Sequence, residues 1–243
     1  MDINQLDALR KKLEENKDDM VISMLLEDKI KELEKQLKKE KKKRTVNRDI
    51  KYLTNMEFDK LMGSFKKAEK LFLMDKKKQK FKFFERDKLI FLIAYECGLR
   101  ASEISNLKKE DFHENSKELF CRRLKGSRNN TIRLTRETSK LLREYIDSEN
   151  NSNYIFLSRK STPLSRQHLT RLCKKYFDLA DIPKEKQHFH TLKHTAGVHL
   201  ADCGLDIKEV QYILGHRNVE NTMIYFDFTS KQQEVLYSKL GRG

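Results

Sequence analysis

Six side chains, far apart in the chain, are of the types that can together break a phosphodiester: Arg100, Lys125, His190, Lys193, His216 and Tyr225. They sit in five short contexts. These are Gly98-Leu-Arg-Ala-Ser-Glu103, Lys125-Gly-Ser-Arg-Asn-Asn130, His190-Thr-Leu-Lys-His194, Leu214-Gly-His216 and Asn221-Thr-Met-Ile-Tyr-Phe226. A phenol can act as nucleophile, fixed cations can hold phosphoryl oxygens, and a lysine or imidazole can carry the protons. Such a set needs no metal and no nucleotide. Other chemistries lack their parts: no Gly-rich loop ends in GK[ST], and there is no HExxH. His190 and His194 lie one helical turn apart, as a zinc pair would, but no acidic base lies between them and no third ligand follows.

Each residue also has a plainer reading. Arg100 follows a helix end, where an arginine meets the helix dipole. Lys125 shares its turn with Arg122, Arg123 and Arg128, so it reads equally as a solvated hairpin tip, and Arg128 could take its place. His194 reads as support for the fold or for an adjacent phosphate, and His188 and His199 as structural or exposed. Tyr225 has apolar neighbours in Met223, Ile224 and Phe226 and would suit a core. Tyr212 and Tyr237 lack its distance from His216.

The elements that must position these residues are mostly helical. Only 8 Gly and 2 Pro in 243 residues disfavour a multi-strand sandwich. Thr54-Asn-Met-Glu57 fits a capping box opening a helix that carries Phe58, Leu61, Met62 and Phe65. A second helix runs from about Arg86 to Cys97 and stops at Gly98. Strands are expected over 119–124 and 131–135 with the Lys125–Asn130 turn between them. Helices follow at about 136–148, 166–180, 191–203, 206–214, 219–227 and 231–240. Pro163, Pro183, Gly204 and Gly215 fall between them as breakers. The expected fold class is mainly α with a small antiparallel β-hairpin or sheet.

Residues 1–50 form a helical, basic N-terminal segment, and 51–243 a separate compact domain. In the first, Leu6, Leu9 and Leu13 share a face. The spacing of Leu26, Ile30, Leu33 and Leu37 follows a coiled-coil seam for under two heptads, which suits a solvated helix as well as self-association. The run Lys35 to Arg44 (KQLKKEKKKR) then reads as a linker or a strand-tracking basic arm. Lys plus Arg outnumber Asp plus Glu by 52 to 37, a net charge of +15, which suits a polyanion, with nucleic acid ahead of an anionic membrane surface. The four cysteines form no CxxC pair and read as reduced thiols of a cytoplasmic protein. The longest apolar stretch, Leu89–Tyr95, is too short to span a bilayer.

Over roughly Leu53 to Lys239, the order and spacing of these parts resemble the tyrosine recombinase (phage integrase) family. The match comprises GLRxSE at 98–103, a hairpin lysine, an HxxRH-like stretch at 190–194, LGH at 214–216 and a tyrosine nine residues beyond that histidine. The resemblance implies a recombinase catalytic-domain fold and an enzyme that breaks and rejoins DNA through a phosphotyrosyl link. Arg100 would be the first catalytic arginine and Lys125 the general acid. His190 would assist proton transfer, His216 would bond the scissile phosphate, and Tyr225 would be the nucleophile. Lys193 stands where the family usually has Arg, which replaces a bidentate fork by a point charge.

Family members usually carry a larger helical domain before the catalytic one. Here about fifty residues precede Leu53, which implies a reduced DNA clamp or a piece of a longer chain. The implied partners are double-stranded DNA and further copies of the chain, a homotetramer on two DNA sites with helix 231–240 docking on a neighbour. No cofactor, metal, nucleotide or membrane is expected, and a DNA-associated cytoplasmic location in integration or mobile-element recombination is. The alternatives are a type IB topoisomerase that nicks and reseals, and a non-catalytic DNA-binding protein derived from a recombinase.

Overall fold

The structure is a computed structural model that describes residues 3–15, 22, 24–34, 50–74, 81–124, 126–148, 152–158 and 160–226. The chain divides into two compact units, Met1–Ile50 and Lys51–Gly243. The first holds helix α1 (Ile3–Glu15) and a second helix, α2, over 24–34. Leu26, Ile30 and Leu33 are the least exposed apolar side chains of α2, as their spacing predicts, while Leu37 lies outside the described residues. Arg10 Nη2 donates to Glu34 Oε1 at 2.8 Å between two largely exposed side chains, a pair worth little by itself.

The second unit is built around α4 (Phe81–Glu96), which packs against α3 (Asn55–Met74), α6 (Arg136–Ser148) and α8 (Phe189–Asp202). The capping box opens α3 as its sequence implies. Thr54 N donates to Glu57 Oε2 at 2.8 Å, and Glu57 N to Thr54 Oγ1 at 3.3 Å. Leu61 and Phe65 of α3 and Leu89, Ile90, Phe91 and Ile93 of α4 are buried in one core, with Phe65 edge-on to Phe91 at 5.2 Å. Phe65 stacks on Tyr176 of α7 (Arg166–Leu179) at 4.2 Å, and Phe91 meets the edge of that ring at 5.6 Å. This aromatic cluster joins three helices.

A three-stranded antiparallel sheet in the order β1 (Phe112–His113), β2 (Glu118–Cys121), β3 (Asn130–Arg133) lies on the other side. Leu119 pairs with Ile132 and Cys121 with Asn130, so the buried residues of both strands share one face. The hairpin of β2 and β3 is shorter than the expected strands, and β1 is additional; two residues are too few for periodicity to reveal. Also additional is the short helix α5 (Ala101–Ser105), which begins right after Arg100. Helices α9 (Ile207–Leu214) and α10 (Glu220–Met223) close the described chain. The expected helix 219–227 is reduced to α10 followed by turns, and the expected helix 231–240 lies outside the described residues. No helix among the described residues is long and apolar enough to cross a membrane.

Candidate active site

Two helix ends come together at the centre of the site. Helix α4 terminates at Gly98, whose φ of 57° is left-handed, and α9 at Gly215, with φ of 65°. Both glycines are also close approaches. A Cβ on Gly98 would strike Leu214 Cδ2, and one on Gly215 would stand 2.7 Å from Arg123 Nε. The carbonyls at the two helix ends carry the negative ends of two dipoles. Two buried basic side chains fill the gap between them.

One is Lys193, fully buried, whose Nζ donates to Gly98 O at 2.8 Å and Leu214 O at 2.6 Å. The other is Arg123, which donates to Cys97 O at 2.7 Å, Gly98 O at 3.0 Å and Ile213 O at 2.8 Å, and through Nε to Asn130 Oδ1 at 3.0 Å. Each carbonyl that Lys193 holds lies two residues before a predicted site residue, Arg100 in one case and His216 in the other. The lysine thus ties both to α8. Burial first, and then the charges of Arg123 and Arg100, push the Lys193 amine down to about 6.

Arg123 is not part of a solvated hairpin tip; its side chain is buried. It follows Leu119 and Cys121 at a spacing of two, the inward positions of β2, and that alternation is the sequence signal that marks it. Glu103, 1 % exposed, is the anion that organises this side. Its Oε2 accepts from Arg100 N at 2.8 Å, and its Oε1 from Arg100 Nη1 at 3.0 Å and Leu124 N at 3.1 Å. Burial works to raise this carboxylate, but the amides of Arg100 and Leu124 and the charges of Lys193 and Arg123 outweigh it and hold it low. Arg100 Nη1 also reaches Ser127 Oγ at 3.1 Å. The guanidinium is thereby anchored through one nitrogen while staying about a third exposed.

The remaining candidates come from α8 and the segment after α9. On α8 the residues 190, 193, 194 and 197 follow the helical step and share a face. His190 is exposed, and its ring meets that of His194 edge-on at 4.3 Å. His216 Nδ1 pairs with Thr222 Oγ1 at 3.0 Å, so an anion would be met through Nε2. Tyr225 is 1 % exposed, its hydroxyl 3.2 Å from His194 Nδ1 and its ring nearly parallel to that of His216 at 6.2 Å. Gly197 makes room for it: a Cβ there would lie 2.7 Å from Tyr225 Cζ.

The electrostatics are those of a cationic, desolvated site. Desolvation first, then neighbouring positive charge, lowers His194 and His216 to about 3, so both imidazoles are neutral near pH 7, and the more exposed His190 is lowered in the same direction. Burial raises the Tyr225 phenol, and Arg100 partly opposes it. A cavity of about 340 Å³ opens beside Arg100 and His190, with Ser102, Arg166, Thr170 and His188 on its walls. Neither Tyr225 nor His216 lines it.

Of the six residues singled out from sequence, five are thus gathered in one region. Lys125 lies outside the described residues. The reading missed Arg123, the seat that Gly197 provides, and the contact of His194 with Tyr225. His199 is structural: it bridges Tyr95 Oη at 2.9 Å and Leu53 O at 2.9 Å. Among the described residues, no group of three or more His, Cys, Asp or Glu side chains could hold a metal.

The geometry has counterparts. The tyrosine recombinase of Pseudothermotoga lettingae is 31 % identical over 156 residues, covering 64 % of this chain and 54 % of that protein. The tyrosine recombinase XerA of Thermococcus kodakarensis is 32 % identical over 149 residues, covering 60 % and 52 %. The chain therefore spans about half the length of these curated relatives. The crystal structure of XerA recombinase superposes with a TM-score of 0.62 at 23 % identity, over 77 % of this chain and 62 % of that one. XerH recombinase, in a post-cleavage complex with its palindromic difH substrate, gives 0.65 at 23 %, over 80 % and 54 %. These likenesses establish the fold. The phage integrase family pattern matches residues 51–232, which takes in the whole described site, and the chain belongs to that family.

Proposed function

We propose that this chain is a site-specific DNA recombinase that breaks and rejoins strands through a phosphotyrosyl intermediate at Tyr225. The observation that carries the reading is the meeting of one buried phenol with Arg100, Lys193, His194 and His216, drawn from four separate segments of the chain. In the cleavage step a bond forms between Tyr225 Oη and phosphorus while the bond from phosphorus to a bridging deoxyribose oxygen breaks. The link conserves the energy of the phosphodiester, and a free DNA hydroxyl later attacks it to reseal in a new partnership. Arg100, anchored by Glu103 and Ser127, offers its remaining guanidinium edge to the phosphoryl oxygens, and His216 adds a hydrogen bond. Lys193 acts from behind, as the tie that holds Arg100 and His216. Lys125 protonates the leaving oxygen.

Double-stranded DNA is the proposed substrate, and the +15 charge supports it. So does the family: XerH is bound to difH, and the Tn1549 transposon integrase to circular intermediate DNA. The working assembly is a homotetramer on two DNA sites, with 231–240 as the docking segment and the basic residues 1–50 as an added DNA-contacting unit.

A second reading, a DNA-binding protein that no longer cleaves, draws on one observation: Lys193 spends its amine on two carbonyls. A nicked suicide substrate separates the two, because it traps the covalent adduct of a cleaving enzyme. An adduct that persists in excess chelator supports the recombinase, and DNA binding with no adduct supports the binder. Exchange between two sites then distinguishes recombination from the nicking and resealing of a type IB topoisomerase.

A further inference from the structure

We infer that His194 is the group that orients the Tyr225 hydroxyl and takes its proton as the phosphotyrosyl bond forms. The inference rests on the strand-cleavage reading and assigns a role to a residue that the family resemblance left without one. Its basis is geometric. His194 Nδ1 lies 3.2 Å from Tyr225 Oη. His190 stands one ring further out, lining the cavity, its ring centre 4.3 Å from that of His194. Three surfaces fix the phenol against that nitrogen: the bare backbone of Gly197 beneath the ring, the parallel His216 ring beside it, and His194 at its hydroxyl. A nucleophile held this way has its lone pairs and its proton in defined directions before substrate arrives.

The groups facing the imidazole are His190 and Lys193 on its own helix, Arg100 at the start of α5, and Tyr225. Burial first, and then the nearby cations, keep the ring neutral, hence able to accept a proton, while burial keeps the proton on the phenol in the resting site. A phosphate anion brought against Arg100 offsets those cations and raises the basicity of the ring when the proton must move. The step balances. Tyr225 Oη bonds to phosphorus, its proton passes to His194 Nδ1, the bridging oxygen leaves with a proton from Lys125, and the imidazolium returns its proton on resealing.

The test is single-turnover cleavage of a nicked suicide substrate by the natural protein and by His194→Asn, whose amide oxygen can still accept from the phenol but cannot take its proton. Asn should bind DNA as before and cleave about 10²-fold more slowly at pH 7, the scale of lost general-base catalysis. That deficit should shrink roughly tenfold per pH unit, because solvent must then ionise the phenol, and a substrate with sulfur as the bridging leaving atom should not repair it. Should Asn fail to fold, a fluorinated tyrosine of lower pKa at position 225 with His194 intact gives the same answer, and its rate should barely change. Equal rates for Asn and the natural protein, a deficit independent of pH, repair by sulfur, or a rate that follows the phenolate fraction of the fluorinated protein would each overturn the assignment. A natural protein that binds DNA and forms no adduct overturns the cleavage reading itself, and the role of His194 falls with it.

Discussion

Replacing Lys193 with Met keeps much of the side-chain volume and removes the amine. Folding lowers that amine from its ordinary value of 10.5 to about 6. Below about pH 6 it is protonated in both states and the full cost of burying the charge is present. Above 10.5 it is neutral in both and the cost is absent. Between these limits the unfolded chain binds one more proton than the folded one, so stability rises with pH by about 1.4 kcal/mol per unit. From pH 6.5 to 9 the gain is about 3 kcal/mol. Met has no such slope. Its own cost is the Leu214 carbonyl left without its lysine donor, about 1–3 kcal/mol. Met should therefore be the more stable protein at pH 7, by ~2 kcal/mol, and the curves should converge near pH 9. Urea unfolding of both proteins without DNA at several pH values gives the difference directly. A difference that does not vary with pH would refute the reasoning, because the amine would then keep its proton on folding.

Three further outcomes follow from the same contacts. Arg123→Leu removes the buried cation 3.7 Å from Glu103 and the donor that serves the carbonyls at two helix ends, and should cost about 3–5 kcal/mol in urea unfolding; a loss below 1 kcal/mol would mean the buried guanidinium is not structural. Gly197→Ala puts a Cβ 2.7 Å from the Tyr225 ring and should destabilise by about 1–3 kcal/mol, with a changed near-ultraviolet tyrosine signal; an unchanged protein would mean that the ring does not occupy this seat. DNA binding should weaken steeply with salt as counterions are released, and a flat dependence would contradict the nucleic-acid reading.

Which parts of this were legible in the sequence follows from how local the causes are. The capping box at Thr54, the stop at Gly98 and the break at Gly215 each depend on neighbours within a few residues, and each is present as read. The family order of GLRASE, HTLKH, LGH and Tyr225 was legible because spacing survives where identity drifts. The direction of Lys193 was not. Its partners, Gly98 and Leu214, are distant in sequence, and nothing near position 193 says that the amine turns inward. Arg123 was hidden among Arg122 and Arg128, and only strand alternation from Leu119 through Cys121 separates it from them. The pairing of Tyr225 with His194 depends on an absent side chain at Gly197, a packing fact that no charge pattern records.

The central claim is that Tyr225 attacks DNA. Its most direct measurement is to trap the protein on a nicked suicide substrate in excess chelator, digest the adduct, and locate the nucleotide-bearing peptide by mass spectrometry. The account predicts that the modified residue is Tyr225, and that Tyr225→Phe binds the same DNA within a few fold yet yields no adduct. An adduct on Tyr212 or Tyr237, or one that survives Tyr225→Phe, would contradict it.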